Sequence, residues 1–105
     1  MTDAPQHPRH QLSEVLHQPV RFSIVAALAS ADSLDFSTIR TAVQITDSAL
    51  SKQITILEDA GIVGVKKGFV GKRPRTWLHL TTTGRAAWGT HLGVLGKIAN
   101  GLDAL

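Results

Sequence analysis

The stretch from Ile45 to Val63 restricts the fold of this chain more than any other, because it reads as a helix with both ends marked. Thr46 or Asp47 can serve as its N-cap, since either side chain accepts a hydrogen bond from a backbone N–H that the first helical turn leaves unpaired. Gly61 suits the left-handed position just beyond a helix end. Between them Leu50, Ile54 and Leu57 recur at i, i+4 and i+7, which makes one apolar stripe. Ser48, Ser51, Lys52 and Thr55 occupy the opposite face, as short hydrogen-bonding groups and one cation. Such a face fits a DNA major groove. It equally fits the solvent side of an ordinary amphipathic helix, and the segment alone leaves both readings open.

The elements before it read as helical. Residues 1–10 are polar, contain proline and lack an apolar core of the signal-peptide kind, so they are expected to form a flexible arm. Leu12, Val15 and Leu16 make a short stripe, a first helix that ends before Pro19 because a residue preceding proline avoids the helical region. Pro19 suits the first turn of a second helix. There Phe22, Ile24, Val25, Leu28 and the alanines are apolar nearly all round, so this helix should be central. Ala31-Asp32-Ser33 interrupts it. Phe36, Ile39 and Val43 mark a further helix, capped by Asp35 or Ser37. Gln44-Ile45-Thr46 then leaves a turn of about three residues, the spacing of a helix-turn-helix.

Beyond Gly61 the pattern turns to strand. Ile62, Val63, Val65, Phe69 and Val70 are β-formers, and Gly71-Lys72-Arg73-Pro74 reads as a hairpin tip. Arg75 to Leu80 returns with Leu78 and Leu80 on one face and Trp77 and His79 on the other. Thr81, Thr82 or Thr83 can cap a closing helix. Its residues Trp88, Leu92, Leu95, Ala99 and Leu102 follow a heptad seam, with Val94, Ile98 and Leu105 in a second stripe alongside. One stripe can pack on the domain and leave the other for a second copy. Gly89, Gly93, Gly96 and Gly101 each weaken that helix by roughly 1 kcal/mol relative to Ala, a loss that packing against a partner would offset.

Composition narrows the function. A chain of 105 residues makes one domain. It has no Cys, which excludes disulfides and thiolate metal sites. No apolar run approaches the roughly 18 residues of a membrane span, and a cytoplasmic location is expected. The net charge is only +3, but Lys66, Lys67, Lys72, Arg73 and Arg75 crowd one window without a carboxylate. The histidines His7, His10, His17, His79 and His91 show no i, i+4 ligand pair, so no metal and no cofactor is expected. The close carboxylates, Asp32 with Asp35 and Glu58 with Asp59, sit at helix ends, and no nucleophile stands with a base, so no catalytic residue is assigned. Trp77 and Trp88 read as core or dimer packing ahead of an effector pocket. Arg21 reads as a surface cation or an ion pair with Glu14 or Asp59.

Taken in order, these segments resemble a winged helix of the MarR- and ArsR-like bacterial transcription regulators, and most closely the small stand-alone winged-helix DNA-binding family near them. His17 to Ile24 looks like the buried second-helix opening of those families, and Asp35 to Ile39 like the start of their first helix-turn-helix helix. Leu50 to Val63 is similar to their recognition helix and its exit. Lys67 to Thr76 looks like the wing, and Leu80 to Ala87 like the start of the closing helix. The likeness covers roughly residues 12 to 105. It implies a mainly α fold with a small β-hairpin (α+β), residues 11–105 forming the DNA-binding domain and about 83–105 a dimerisation helix. It implies that Ser48, Ser51, Lys52 and Thr55 face DNA. Thr46 and Ser48 lie near the helix N-terminus, where a phosphate is favoured. Arg73 beside Pro74 suits a narrow minor groove. Lys66, Lys67, Lys72, Arg75 and Arg40 are phosphate candidates. Leu12, Val15, Leu16, Trp88, Leu92, Leu95, Ile98 and Leu102 are the expected dimer contacts. The function implied is a sequence-specific repressor of double-stranded DNA acting as a homodimer on a pseudo-palindromic operator, with any small-molecule effector left open. A winged-helix protein-interaction module with an acidic partner is the alternative.

Overall fold

The computed structural model describes residues 6–101. Four helices and a three-stranded antiparallel sheet follow in the order α1 (Pro19–Ala29), β1 (Leu34–Asp35), α2 (Phe36–Val43), α3 (Asp47–Asp59), β2 (Val63–Val70), β3 (Arg73–Leu80) and α4 (Thr82–Ala99). The sheet order is β1-β3-β2. This is the mainly α architecture with a small hairpin that the sequence implies, enlarged by one strand. β1 is two residues long and pairs Leu34 with Leu78 and Asp35 with Trp77. So short a strand has no periodicity to read, and only its long-range pairing reveals it.

Two differences lie near the N-terminus. The expected helix through Leu12, Val15 and Leu16 is a single turn, closed by His17 N–H donating to the Ser13 carbonyl at 2.9 Å. Leu12 and Gln18 are both extended, the second because Pro19 follows it. The five residues between cannot hold a regular helix. Pro8–Gln11 forms a 3-10 turn against α4, with proline at its start, where a missing N–H costs nothing.

The caps settle several alternatives. Gln18, Asp35, Thr46 and Thr81 accept from the backbone N–H groups of Arg21, Thr38, Ala49 and Gly84. Loss of such a cap costs about 1 kcal/mol. At the end of α3, Gly61 N–H bonds the Glu58 carbonyl and Ile62 N–H bonds the Leu57 carbonyl, with Gly61 at φ 75. This paired closure needs a left-handed residue, which is why glycine stands there. The turn between α2 and α3 uses Gln44 in the left-handed region, at φ 60. That conformation is costly for a residue with a Cβ, and no glycine advertised it in the sequence.

The core joins every layer. Leu16, Ile24, Val25, Leu28, Ile39, Leu50, Leu57 and Leu78 are fully buried. Leu16 therefore belongs to the monomer's core and offers no surface to a second copy, which corrects its assignment as a dimer contact. α4 is fastened at its start. Thr81 N–H donates to the Ile62 carbonyl at 3.0 Å and its Oγ1 to the Gly61 carbonyl at 2.6 Å. Gly84 sits so close to Ile62 that a Cβ would overlap its carbonyl. Of the two stripes on α4, the inward one runs through Gly84, His91 and Val94, all buried. Leu92 is 42% exposed, Trp88 packs on Phe22 with ring centroids 4.8 Å apart, and Leu95 and Ile98 are half-buried. Leu102 lies outside the described residues.

Among the described residues His91 is the one buried polar side chain. Its Nδ1 accepts from Ser13 N–H at 3.2 Å, so in the neutral ring the proton sits on Nε2, which has no partner. Burial pushes its pKa below the ordinary value, and the neighbouring His17 ring, 5.7 Å away, adds to that.

Candidate nucleic-acid interface

The exposed face of α3 carries what the pattern predicted. Leu50, Ile54 and Leu57 are buried, while Ser48, Ser51, Lys52 and Thr55 are exposed. Thr55 Oγ1 donates to the Ser51 carbonyl at 3.0 Å, which leaves its oxygen lone pairs free to accept. Thr46, the N-cap, lies 3.3 Å from Ser48 Oγ. These hydroxyls and the first backbone N–H groups of α3 meet at the positive end of the helix dipole.

One carboxylate complicates that end. Asp47 is not the cap, and its side chain instead pairs with Arg40 of α2, Nη1 to Oδ1 at 2.7 Å. The two side chains are 38% and 68% exposed. Arg40 thus stands beside the N-terminus of α3 as expected for a phosphate contact, but partly neutralised. Sequence spacing offers no sign of this pair, because the six residues between its members include the left-handed turn at Gln44.

The hairpin is sharper than expected. β2 ends at Val70 and β3 begins at Arg73, so the loop is Gly71-Lys72 alone, with Gly71 at φ 61. A two-residue hairpin with positive φ at its first position suits glycine there. Lys72 is therefore at the apex, and Arg73 and Pro74 stand on the strand, paired with Val70 and Phe69. This corrects the placement of Arg73 at the tip. The apex also shows Phe69, 71% exposed, and Val70, 48% exposed. In the sequence these two residues register only as strand formers.

Strand alternation splits the basic cluster. Side chains opposite one another in an antiparallel ladder share a face, and neighbours along a strand do not. Lys67 and Thr76 are partners, and so are Lys66 and Trp77. Lys67 and Thr76 line a cleft of about 270 Å³ with Ser51, Thr55 and Glu58 of α3. Lys66 lies on the other side of the sheet, in a cleft with Asp32, Ser33, Trp77 and His79. The structure therefore gathers Arg40, Thr46, Ser48, Ser51, Lys52, Thr55 and Lys67 around α3, puts Lys72 at the hairpin apex, and leaves Lys66 and Arg73 on the other face of the strand pair. Arg75 is drawn back toward Asp35, 3.9 Å away. Bonds from Thr38 hold the Asp35 carboxyl below its ordinary pKa, helped by Ser37 and Arg75 and opposed by partial burial.

Arg21 serves the interior of this interface. Its Nε donates to the Val15 carbonyl at 2.7 Å and its Nη1 to Gln53 Oε1 at 2.9 Å. Of the two readings from sequence, a surface cation or an ion pair with Glu14 or Asp59, the ion pair is absent among the described residues. Gln53 faces inward on α3, and the bond to Arg21 fixes the roll of that helix, hence the direction in which Ser51 and Lys52 point.

A family model described as a winged helix DNA-binding domain matches residues 20–99. The chain belongs to the winged-helix DNA-binding family. In that family's terms α2 and α3 are the helix-turn-helix, and β2 and β3 are the wing. A transcriptional regulator homologue from Pyrococcus horikoshii OT3 shares the fold with a TM-score of 0.85 at 29% identity, covering 93% of this chain and 99% of that one. A protein assigned to the MarR family of transcriptional regulators, from Enterococcus faecalis V583, gives 0.72 at 20% identity over 99% and 96%. The M. tuberculosis regulator MosR, solved in complex with DNA, gives 0.67 at 18% identity over 93% and 67%. With these last two the likeness is one of fold, and it bears out the MarR-like architecture expected from the sequence. Among the described residues no helix is long and apolar enough to cross a membrane.

Proposed function

We propose that the chain is a sequence-specific transcriptional regulator of double-stranded DNA, acting as a homodimer and most simply as a repressor that occludes a promoter. The observation that carries this reading is the convergence of the hydroxyl-rich, Lys52-bearing face of α3 with the Lys67 side of the wing, both exposed and without apolar cover. α3 enters a major groove, where Ser51, Lys52 and Thr55 meet base edges. The wing reaches the flanking minor groove with Lys72 at its apex and Arg73 behind it. Arg40 and Lys67 meet phosphates, which position the domain without reading sequence. MosR, which shares the fold, is described in complex with DNA.

Dimerisation is assigned to the outer side of α4. Leu92 is exposed there, with Leu95 and Ile98 at its margin. Apart from the helix's own backbone, no atom of the described residues comes within 4 Å of a Cβ built on Gly89, Gly93 or Gly96. Three helix-weakening residues with open space where a side chain would stand, among the described residues, suit the close approach of a second helix. Two copies would read a pseudo-palindrome with half-sites about one helical turn apart.

The test is selection of genomic DNA fragments by the purified protein, with solution mass measured alongside. Enrichment of a two-fold-symmetric motif by a particle of twice the chain mass is expected. Replacing Lys72 and Arg73 by Ala should weaken all DNA alike, and replacing Ser51 or Lys52 should change the preferred sequence. A monomer, or fragments recovered without any shared motif, refutes the proposal.

A further inference from the structure

The wing carries an apolar edge that phosphate contact does not explain. Phe69 and Pro74 stand opposite each other one rung in from the hairpin turn, and both are exposed. Pro74 has no N–H to exchange, so the two form a non-hydrogen-bonded pair, the kind whose side chains come closest, with Cα atoms about 4.5 Å apart. The period of two fixes the side of the sheet on which this pair lies. Val65 with Leu78, Lys67 with Thr76 and Phe69 with Pro74 share one face. The first of these rungs is packed in the core. The second lines the cleft beside Ser51 and Thr55 of α3. At about 3.4 Å per residue, Lys67 lies about 7 Å and Phe69 about 14 Å out from Val65. Outward along that face come the recognition helix, then a cation, then the apolar pair. A duplex with α3 in its major groove presents a matching order of groove, phosphate strand and minor groove.

The surroundings of the pair select its occupant. Residues 66–75 hold five cations and no carboxylate, so what covers the Phe69–Pro74 edge is an anion with an apolar interior. Stacked bases between two phosphate strands have that chemistry. Resting on the DNA-binding reading above, we propose that Phe69, backed by Pro74, is a wedge that enters one base-pair step from the minor groove, unstacks it and bends the duplex. Pro74 stiffens the strand behind the ring, because its own ring fixes φ. The wedge gives the wing a sequence preference without reading a base edge. Pyrimidine–purine steps unstack most easily, so Phe69 selects a flexible step such as TA in each operator flank. The cations of the wing do not make this choice, since A·T and T·A show the same acceptors in the minor groove.

The probe is the operator duplex recovered by genomic selection. A TA step carrying 2-aminopurine in place of adenine, a base whose fluorescence rises on unstacking, is moved in turn through both flanks. With saturating full chain the fluorescence should rise at one position in each flank, and energy transfer between the duplex ends should report a bend of about 20–90°. Phe69→Ala changes an exposed side chain. At saturation it should lose the rise and the bend, and it should bind about tenfold more weakly. Phe69→Leu keeps an apolar wedge and should retain most of the rise. Exchanging TA for AT at that position leaves the minor-groove acceptors as they were. It should nevertheless weaken wild type about tenfold and Phe69→Ala less than about twofold. The proposal is overturned if the bound duplex shows no rise at any position, if Phe69→Ala gives the wild-type rise, or if the exchange costs both proteins alike. It is also overturned if Phe69→Ala leaves the DNA signals intact and abolishes sedimentation with phosphatidylglycerol vesicles, which would make the edge a membrane contact. Absence of any duplex binding removes the DNA-binding reading and the wedge together, whereas binding without unstacking removes the wedge alone.

Discussion

Asp47→Asn should make this protein less stable and a better DNA binder at once. Asp47 opens α3, where its charge is favoured by the helix dipole, and it pairs with Arg40 at 2.7 Å. Both side chains are substantially exposed, so pair and dipole together contribute about 0.5–1 kcal/mol, the lower part of the usual range once solvent screening is counted. Asn has nearly the same volume, and Thr46 remains as the cap, so nothing else in the helix start changes. On DNA the sign reverses. A phosphate about 6 Å from the Asp47 carboxylate is repelled by about 0.7 kcal/mol in water, or about threefold in affinity. Removing the carboxylate also frees Arg40. One further phosphate contact steepens the salt dependence by about 0.9 in log–log slope, so the ratio of variant to wild-type affinity should fall about 3.5-fold between 50 and 200 mM salt. Fluorescence anisotropy on a selected operator, run over that salt range, measures both numbers, and urea titration measures the stability. In an Arg40→Ala background the gain should shrink, because no cation is left to be freed. If Asp47→Asn binds DNA no better than wild type at low salt, or leaves the slope unchanged, the N-terminus of α3 does not face a phosphate and the docking is wrong.

Gly84→Ala should destabilise the fold by about 3 kcal/mol or more, since the added Cβ overlaps the backbone of Ile62 and not a movable side chain. Gly89→Ala, with open space around it, should stabilise the monomer by about 0.5–1 kcal/mol, and denaturant midpoints compare the two. His91→Gln should flatten the pH dependence of stability. The folded ring has a pKa held below 6.5, so the unfolded chain binds the proton better. The stability that neutral His91 contributes is complete above pH 6.5 and is lost as pH falls from there toward the folded value. Thermal melts of wild type should therefore decline more than those of the variant between about pH 7 and pH 5, and parallel declines would show that His91 does not titrate against folding. Phe69→Ser should weaken DNA binding without altering the salt slope, because an apolar group at the wing apex releases no counterion. A changed slope would mean that the substitution disturbs the Lys72 turn.

The helical part of this fold was legible because its signals are local. A stripe at i, i+4 and i+7, a Thr before it and a Gly after it are all contained in Thr46 to Gly61, and the structure keeps each in its role. What stayed hidden depends on contacts far along the chain. β1 exists only by pairing with β3, His91 is buried only because Ser13 folds back onto α4, and Arg21 finds Gln53 only once α1 lies against α3. The basic cluster lies between these cases and shows why composition misleads. As a window of sequence, Lys66 to Arg75 is one patch of positive charge. As a strand pair it has two sides, and the period of two assigns Lys67 to the recognition helix and Lys66 to the opposite cleft. The alternation was readable in principle, since Leu78 and Leu80 mark the inner face and Lys67 shares it through its partner Thr76. What the sequence lacked was the register between the strands, set by the two-residue turn at Gly71 and Lys72. Had the turn been the four-residue tip Gly71 to Pro74, the partner of Trp77 would not be Lys66, and neither the groove beside α3 nor the cleft behind it would have its present lining.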